Sequence, residues 1–201
     1  MSNHYSRATG ILLIVTASLF TGACSTVNTN IPELDPVTEK AFERALGLLK
    51  KKHYKRATTA FQELVKTKQP LPGAYINLGL CYLHSKKYSE AADALNKAIE
   101  LKPSSALAHT HLGLAYRHMG KLDAAKDAYL LAIKQDDNYT IAHLNLAILY
   151  DIYLGKLPLA LQQYEIYQSK TDAQDKNIEK WIVDLKRRIK SAQITSGEKQ
   201  G

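Results

Sequence analysis

One short motif recurs along this chain at a spacing of 34 residues. It reads LGLCY at residues 78–82, LGLAY at 112–116 and LAILY at 146–150. A small residue followed by a bulky one keeps nearly the same step downstream, as the pairs Ala57/Phe61, Ala91/Leu95, Ala125/Tyr129 and Ala160/Tyr164. Self-similarity at a fixed period of about 20–50 residues is the signature of stacked repeats. The period therefore restricts the fold more than the composition does.

Each repeat unit carries two apolar stripes at helical spacing, separated by a short polar turn. In the best-formed unit the turn lies at residues 85–88, and the two stripes are Tyr75, Leu78, Gly79 and Tyr82, then Ala91, Leu95 and Ala98. Two helices therefore fold back on each other. A small residue is needed where their axes cross most closely, so Gly79 is predicted to pack over Leu95.

These residues resemble the tetratricopeptide repeat (TPR) family. Residues 72–105 carry the whole family pattern, of which Pro103 is the last position. The resemblance implies an all-α fold, a right-handed α-solenoid of about four helical hairpins with a C-terminal capping helix. The predicted repeats span residues 38–71, 72–105, 106–139 and 140–174. Asp35 and Pro36 are predicted to cap the first helix. One extra residue between Tyr150 and Gly155 is expected to bend or bulge the fourth repeat's first helix.

A C-terminal amphipathic segment is predicted to close the open end of the stack. The capping helix is placed at residues 175–193 and a polar tail at 194–201. Its apolar face comprises Ile178, Trp181, Ile182, Leu185 and Ile189, and its reverse side Glu179, Lys180, Lys186, Arg187 and Lys190. Trp181 is expected to be buried near Tyr164 and Tyr167.

The N-terminus has the pattern of a secretory signal peptide, predicted at residues 1–23. An apolar run at 11–20 is too short to span a bilayer, which takes about 20 residues. Small residues before Cys24 resemble the bacterial lipobox, which implies that Cys24 is acylated (palmitate) and anchors the chain to the lipid bilayer. Ser25 after it favours the outer membrane, facing the periplasm. A plain signal peptide with an incidental cysteine is the alternative. Residues 24–37 are predicted to be the acylated cysteine and a flexible tether.

The chain is basic, with a formal net charge of +8, or +7 without residues 1–23. A basic surface suits anionic lipid, peptidoglycan or an acidic partner, or is simply solvated. Nucleic acid is not expected as a partner, because the lysines and arginines are scattered and no nucleic-acid motif is present. Cys81 lies among Leu80 and Tyr82 and is predicted to be a small buried hydrophobe.

The sequence predicts no catalytic site, no metal site and no cofactor. There is no glycine-rich phosphate loop, nucleophile motif or CxxC. Of the seven histidines, His109 and His111 are two apart on a helix and point in different directions. His84 and His118, like His109 and His143, are one hairpin apart, which is too far to share an ion.

In TPR arrays the first helices of successive repeats line a concave groove. Carried over position by position, the resemblance places these residues in a predicted peptide-binding groove: Phe42, Asn77, Leu80, His84, His111, Leu114, His118, Asn145 and Ile148. Amides can pair with the backbone of an extended peptide, and the Leu/Ile row can accept its side chains. Simple packing between helices is the alternative role of these leucines. The chaperone-type carboxylate clamp is absent, since Phe42, Leu107 and His111 occupy its basic positions.

Two classes of function remain open. The first is a non-enzymatic protein-interaction scaffold that assists assembly of an envelope complex and binds another envelope protein or peptide segment. The chain is similar to TPR lipoproteins that act as pilotins for type IV pilus secretins. Close variants are adaptors for peptidoglycan hydrolases and components of TonB-type energy transduction. The second class, an enzyme or enzyme accessory, has little support in the residues. The sequence does not give the oligomeric state.

Overall fold

A computed structural model describes residues 35–67, 71–171 and 175–198, with side chains as far as residue 194. This part of the chain is helical and contains no strand. The α-helices are α1 (Pro36–Lys50), α2 (Tyr54–Leu64), α3 (Pro72–His84), α4 (Tyr88–Leu101), α5 (Ala106–His118), α6 (Leu122–Gln135), α7 (Thr140–Ile148), α8 (Leu157–Lys170) and α9 (Lys176–Glu198). A π-helical segment, Leu149–Tyr153, continues α7. The predicted signal peptide, Cys24 and most of the predicted tether lie outside the described residues.

The helices pair as antiparallel hairpins, α1 with α2, α3 with α4, α5 with α6 and α7 with α8. Each hairpin then packs against the next, through α2 on α3, α4 on α5 and α6 on α7, and α9 packs on α8. The first helices of the hairpins also touch in order, α1 to α3, α3 to α5 and α5 to α7. The all-α solenoid predicted from the 34-residue period is confirmed.

Asp35 caps the first helix. Its Oδ1 accepts hydrogen bonds from the backbone N–H groups of Val37 and Thr38 at 3.1 and 3.0 Å. Pro36 occupies the first helical turn, where its missing N–H costs nothing. The bonds to the ionised carboxylate, first of all those from Thr38, hold the pKa of Asp35 below its usual value. The predicted helix start is confirmed.

Glycine is required at two helix crossings. A Cβ atom at Gly79 would lie 2.7 Å from Cγ of Leu95, and one at Gly113 would lie 2.5 Å from Cε1 of Tyr129. Leu95 and Tyr129 are fully buried. The predicted contact of Gly79 with Leu95 is therefore confirmed, and the third repeat uses the same device with a larger partner.

The turn inside each hairpin contains one residue with positive φ. Lysine fills this position in the first two hairpins, as Lys52 and Lys86, each with φ of 59°. Glycine fills it in the last two, as Gly120 with φ of 73° and Gly155 with φ of 61°. Glycine adopts this conformation without the steric cost that an L side chain meets.

The extra residue of the fourth repeat is accommodated by the π-helical segment Leu149–Tyr153. A π turn takes in one more residue than an α turn does, and single π turns are the usual form of a helical bulge. Leu149 and Tyr150 remain buried. The predicted bulge is thus present, and Leu154, which follows it, still packs against the core.

The C-terminal helix differs from the prediction in two respects. Trp181 is 46% exposed, so its predicted burial is wrong; it only meets Tyr164 edge to face, with ring centroids 5.8 Å apart. The buried residues of α9 are Ile178 and Leu185. At about 100° per residue, Trp181 lies roughly 50° from the centre of that stripe. The helix also extends to Glu198, so residues 194–198 of the predicted polar tail are helical.

Cys81 is fully buried, as predicted, and burial raises the pKa of its thiol to about 11. It is therefore an uncharged packing group at neutral pH. A search of the described helices finds none that is long and apolar enough to cross a membrane.

Candidate peptide-binding face

The predicted groove residues recur at the same three positions of successive first helices. Asn77, Leu80 and His84 lie on α3, and His111, Leu114 and His118 on α5. Their spacing of three and four residues places each trio on one side of its helix. Because α1, α3, α5 and α7 lie side by side, these trios form one surface. We call the surface of residues 77, 80, 84, 111, 114, 118, 145 and 148 the A-helix face.

The two asparagines are half-buried and are held by their own helices. Nδ2 of Asn77 donates to the carbonyl oxygen of Gly73 at 2.7 Å, and Nδ2 of Asn145 donates to that of Ile141 at 2.9 Å. This bond fixes the side chain while using only one of the two amide N–H groups. Oδ1 and the second N–H of each amide remain available to the backbone of a bound peptide.

Two of the histidines are stacked on tyrosines of the preceding hairpin. The rings of His84 and Tyr54 are 4.2 Å apart at 14°, and those of His118 and Tyr88 are 4.5 Å apart at 4°. Both histidines are exposed and end their helices, whereas the tyrosines begin α2 and α4. Stacking fixes the imidazole plane and leaves its nitrogens at the ring edge free to bind. Sequence reasoning missed the two tyrosines, although each precedes its histidine by the same interval.

His111 sits deeper, between the two stacked histidines. Burial, with electrostatic repulsion from His84 as the second cause, lowers the pKa of His111 to about 4. Burial likewise lowers the pKa of His118, with Arg117 as the second cause. Nδ1 of His111 is buried and has no hydrogen-bond partner among the described residues. His111 is therefore neutral at pH 7, and the middle of the A-helix face is polar without being cationic.

The apolar members of the predicted groove divide into two groups. Leu80 and Leu114 are half-buried, and Leu80 also packs against Ile76 and neighbouring alanines. Phe42 instead meets Phe61 edge to face, at 5.9 Å between ring centroids, and packs against the core shared by the first two hairpins. The structure thus brings six predicted residues together on α3 and α5, while Phe42 points into the interior.

Ile148 marks the C-terminal edge of the A-helix face, where a pocket of about 270 Å³ opens. Its walls include Tyr164 and Trp181, and it also contains an ion pair between Asp151 and Arg188, with Oδ1 and Nη1 2.8 Å apart. Neither ion-pair member was singled out from the sequence. The pair joins the π-helical segment to α9, so it fastens the cap at this edge.

His109 and His143, which occupy the same position of successive repeats, have structural roles. Nε2 of His109 lies 3.0 Å from the carbonyl oxygen of Pro103, and Nε2 of His143 lies 3.2 Å from that of Asp137. Both rings are buried and hold the loop before their helix. No cluster of three or more His, Cys, Asp or Glu side chains suited to a metal ion occurs within residues 35–67, 71–171 and 175–198.

Comparison with known proteins identifies the repeats. Tetratricopeptide repeat models match residues 72–105 and 94–127. The sequence matches none of the curated proteins. Among solved structures, MamA is 26% identical with a TM-score of 0.58, covering 63% of this chain and 74% of that one.

Two peptide-binding proteins share the fold. YrrB, described as a TPR protein with an unusual peptide-binding site, is 19% identical with a TM-score of 0.61, covering 75% of this chain and 74% of that one. The first TPR domain of Spaghetti (RPAP3) was solved bound to the HSP90 peptide SRMEEVD. It is 21% identical with a TM-score of 0.55, and the match covers 59% of this chain and 92% of that one. The chain thus contains tetratricopeptide repeats and has the all-α TPR fold, which is that of protein-interaction scaffolds.

Proposed function

We propose that this chain is a non-enzymatic scaffold that binds an extended segment of another envelope protein on its A-helix face. It is anchored to the outer membrane through acylated Cys24 and assists assembly of an envelope complex of the type IV pilus or secretin kind. The observation that carries the proposal is the repetition of one trio on α3 and α5, namely an amide or imidazole, a half-buried leucine and a stacked histidine.

This repetition fits an extended peptide. The free positions of Asn77 and Asn145 can pair with peptide backbone groups, and neutral His111 can accept or donate without attracting a counter-ion. Leu80 and Leu114 offer apolar contact for alternate side chains. Binding of peptides by two proteins of the same fold, YrrB and Spaghetti, supports this use of the repeats.

Co-purification from detergent-solubilised envelopes tests the binding face. Leu114→Glu places a charge in an apolar contact and is expected to abolish partner recovery, alone or with Leu80→Glu. Asn77→Ala with Asn145→Ala should weaken recovery, since each lost hydrogen bond is worth about 0.5–1.5 kcal/mol. Lys86→Ser with Lys87→Ser, at the exposed turn of the second hairpin, is the control and should change only salt dependence.

Circular dichroism shows whether each variant is folded, which matters most for Leu80 because it also packs against Ile76. Full partner recovery with folded Leu114→Glu and Leu80→Glu would move the binding site to another surface. The parent protein could also recover a partner only at low salt while every variant, including the lysine control, fails to recover it. That result would indicate nonspecific attraction to a basic chain.

The anchor is tested separately, by mass spectrometry of the mature protein. Acylation adds the mass of the lipid to a chain that begins at Cys24, and Cys24→Ser is expected to leave an uncleaved or soluble periplasmic form. A mature, unmodified N-terminus at any other residue would contradict the lipoprotein part of the proposal and leave the peptide-binding part standing.

A further inference from the structure

The first hairpin has an open apolar trough on its outer surface, between α1 and α2. The trough has a volume of about 970 Å³. Its apolar lining includes Val37, Ala41, Leu48 and Ala60. Val37 is 79% exposed, which is unusual for a valine beside a continuous apolar surface. We call this surface the N-terminal trough.

The second hairpin shows what such a surface binds. Ala41 and Leu48 stand one repeat before Tyr75 and Tyr82, and in the second hairpin the hydroxyl of each of these tyrosines contacts α2 or the residue that follows it. The Tyr75 hydroxyl reaches the carbonyl oxygen of Val65, the residue directly after α2, at 3.5 Å, and Gln62 on α2 donates to the Tyr82 hydroxyl at 2.9 Å. At the equivalent surface inside the stack, a pocket of about 600 Å³ lined by Tyr75 and Tyr82 stays open, and beside it both tyrosines contact a helix. The N-terminal trough has the shape for one.

Three of the four charged residues that line the trough are cations. Lys40, Arg44 and Arg56 line it, and none of them forms an ion pair with a described residue. The one acidic lining residue, Glu63, is already paired with Lys66 at 2.8 Å. Arg44 is notable because its equivalent one repeat later, Leu78, is a buried core residue. A polar surface alone would keep this end soluble, whereas three cations that pair with no described residue favour an acidic partner.

We propose that the N-terminal trough docks an acidic amphipathic helix of a partner protein. The apolar side of that helix covers Val37, Ala41 and Leu48, a length of roughly 17 Å or three helical turns, and its acidic side meets Lys40, Arg44 and Arg56. This is a second binding site, separate from the A-helix face, and it does not depend on the function proposed for that face.

Charge argues against the two other occupants. A second copy docked through the same surface would bring two sets of three cations together, which is repulsive. Residues 25–34 of this chain adjoin the trough along the sequence but supply one acidic side chain, Glu33, against those three cations. An acidic helix from a partner satisfies both the shape and the charge.

Three synthetic helical peptides test the proposal on the full chain in a non-ionic detergent. They share one Leu/Ala face and differ only in polar residues, which are all Glu, all Gln or all Lys. Fluorescence anisotropy is expected to rank binding as Glu, then Gln, then Lys. Arg44→Glu with Arg56→Glu should weaken the Glu peptide about tenfold, since two exposed ion pairs become repulsive, and should favour the Lys peptide.

Matched variants separate a docking site from general attraction. Lys134→Glu with Lys190→Glu changes the net charge equally at exposed positions outside the trough and should alter binding less than twofold, by about the screened long-range contribution. Ala41→Trp fills the trough without changing the net charge and should also abolish binding of the Glu peptide. Leu114→Glu, on the A-helix face, should have no effect.

Several results would overturn the proposal. They are no binding of the Glu peptide, an equal loss in the Lys134/Lys190 variant, or unchanged binding to Ala41→Trp. A dimer in sedimentation that Ala41→Trp dissociates would assign the trough to a second copy. Tighter peptide binding after Ile31→Ser with Leu34→Ser would assign it to residues 25–34 of the chain itself.

Discussion

The two ends of the helical stack solve the same problem differently. At the C-terminal end α9 covers the last hairpin, burying Ile178 and Leu185 and pairing Arg188 with Asp151. At the N-terminal end the outer surface of α1 and α2 keeps an open trough with Val37 exposed. Repeats bury their apolar faces only by stacking, so each end needs a cover or must be polar.

The C-terminal helix α9 is a structural cover of the stack, whereas the N-terminal trough is left open. The cap is encoded within the described chain by apolar residues spaced along one helix, and its loss should be costly. The open end combines an apolar floor with cations that pair with no described residue, so substitutions there should change binding more than stability. The following predictions test this contrast in order of expected effect.

Removing the largest anchor of the cap should have the strongest effect. Leu185→Ala leaves a cavity at a fully buried position and should lower the free energy of unfolding by about 2–5 kcal/mol. The matched change Val183→Ala, on the same helix but 68% exposed, should stay within about 0.5 kcal/mol. Urea denaturation measures both. Equal stability of the two variants would show that α9 is not an integral cover.

Gly113 and Gly47 contrast a tight helix crossing with an open position on the first hairpin. Gly113→Leu drives a side chain into Tyr129 and should cost about 1–3 kcal/mol, although leucine is the better helix former. A Cβ at Gly47 meets nothing within 4 Å, so Gly47→Ala should gain about 0.5–1 kcal/mol. Thermal melting reports both signs. A higher melting temperature for Gly113→Leu would contradict the packing described for the third hairpin.

The fold could be predicted from the sequence because the period and the small residues at 79 and 113 act locally in each repeat. The cap was placed correctly through Ile178 and Leu185, but Trp181 was misjudged, since helical spacing alone does not say how wide the covered stripe is. The stacking of His84 on Tyr54 depends on contact between hairpins, which one repeat's pattern does not contain. The N-terminal trough was missed for a similar reason: an uncovered surface is defined by what is not packed on it.

The turns distinguish the two halves of the stack. Lys86 holds a positive φ that glycine adopts freely, whereas Gly120 already provides it at the equivalent turn. Lys86→Gly should raise stability by about 0.5–1 kcal/mol, because relief of the left-handed strain exceeds the added freedom of the unfolded chain. Gly120→Lys should lower it by a similar amount. Denaturation midpoints in urea measure the pair, and changes of the same sign would contradict this account of the turns.

The smallest effect concerns one carboxylate near each end. Lys170 lowers the pKa of Asp137, with a smaller effect of His143, and bonds from Thr38 lower that of Asp35. A pKa lowered by folding stabilises the protein above the unfolded pKa, and this stabilisation is lost as pH falls through the folded value, below about pH 4. Asp137→Asn should therefore be less stable than the parent at neutral pH and converge with it in acid.

Asp35→Asn is the matched change at the other end. Asparagine still accepts the capping bonds from Val37 and Thr38, because it is as good an N-cap residue as aspartate. It should lose less stability than Asp137→Asn at neutral pH. Both effects are small because the carboxylates are exposed, and salt should reduce the Asp137 effect by screening its attraction to Lys170. The urea midpoints of both variants and the parent, compared from neutral to acid pH, measure these differences in stability. A deficit of Asp137→Asn that persists at the lowest pH would show that the residue acts through packing rather than charge.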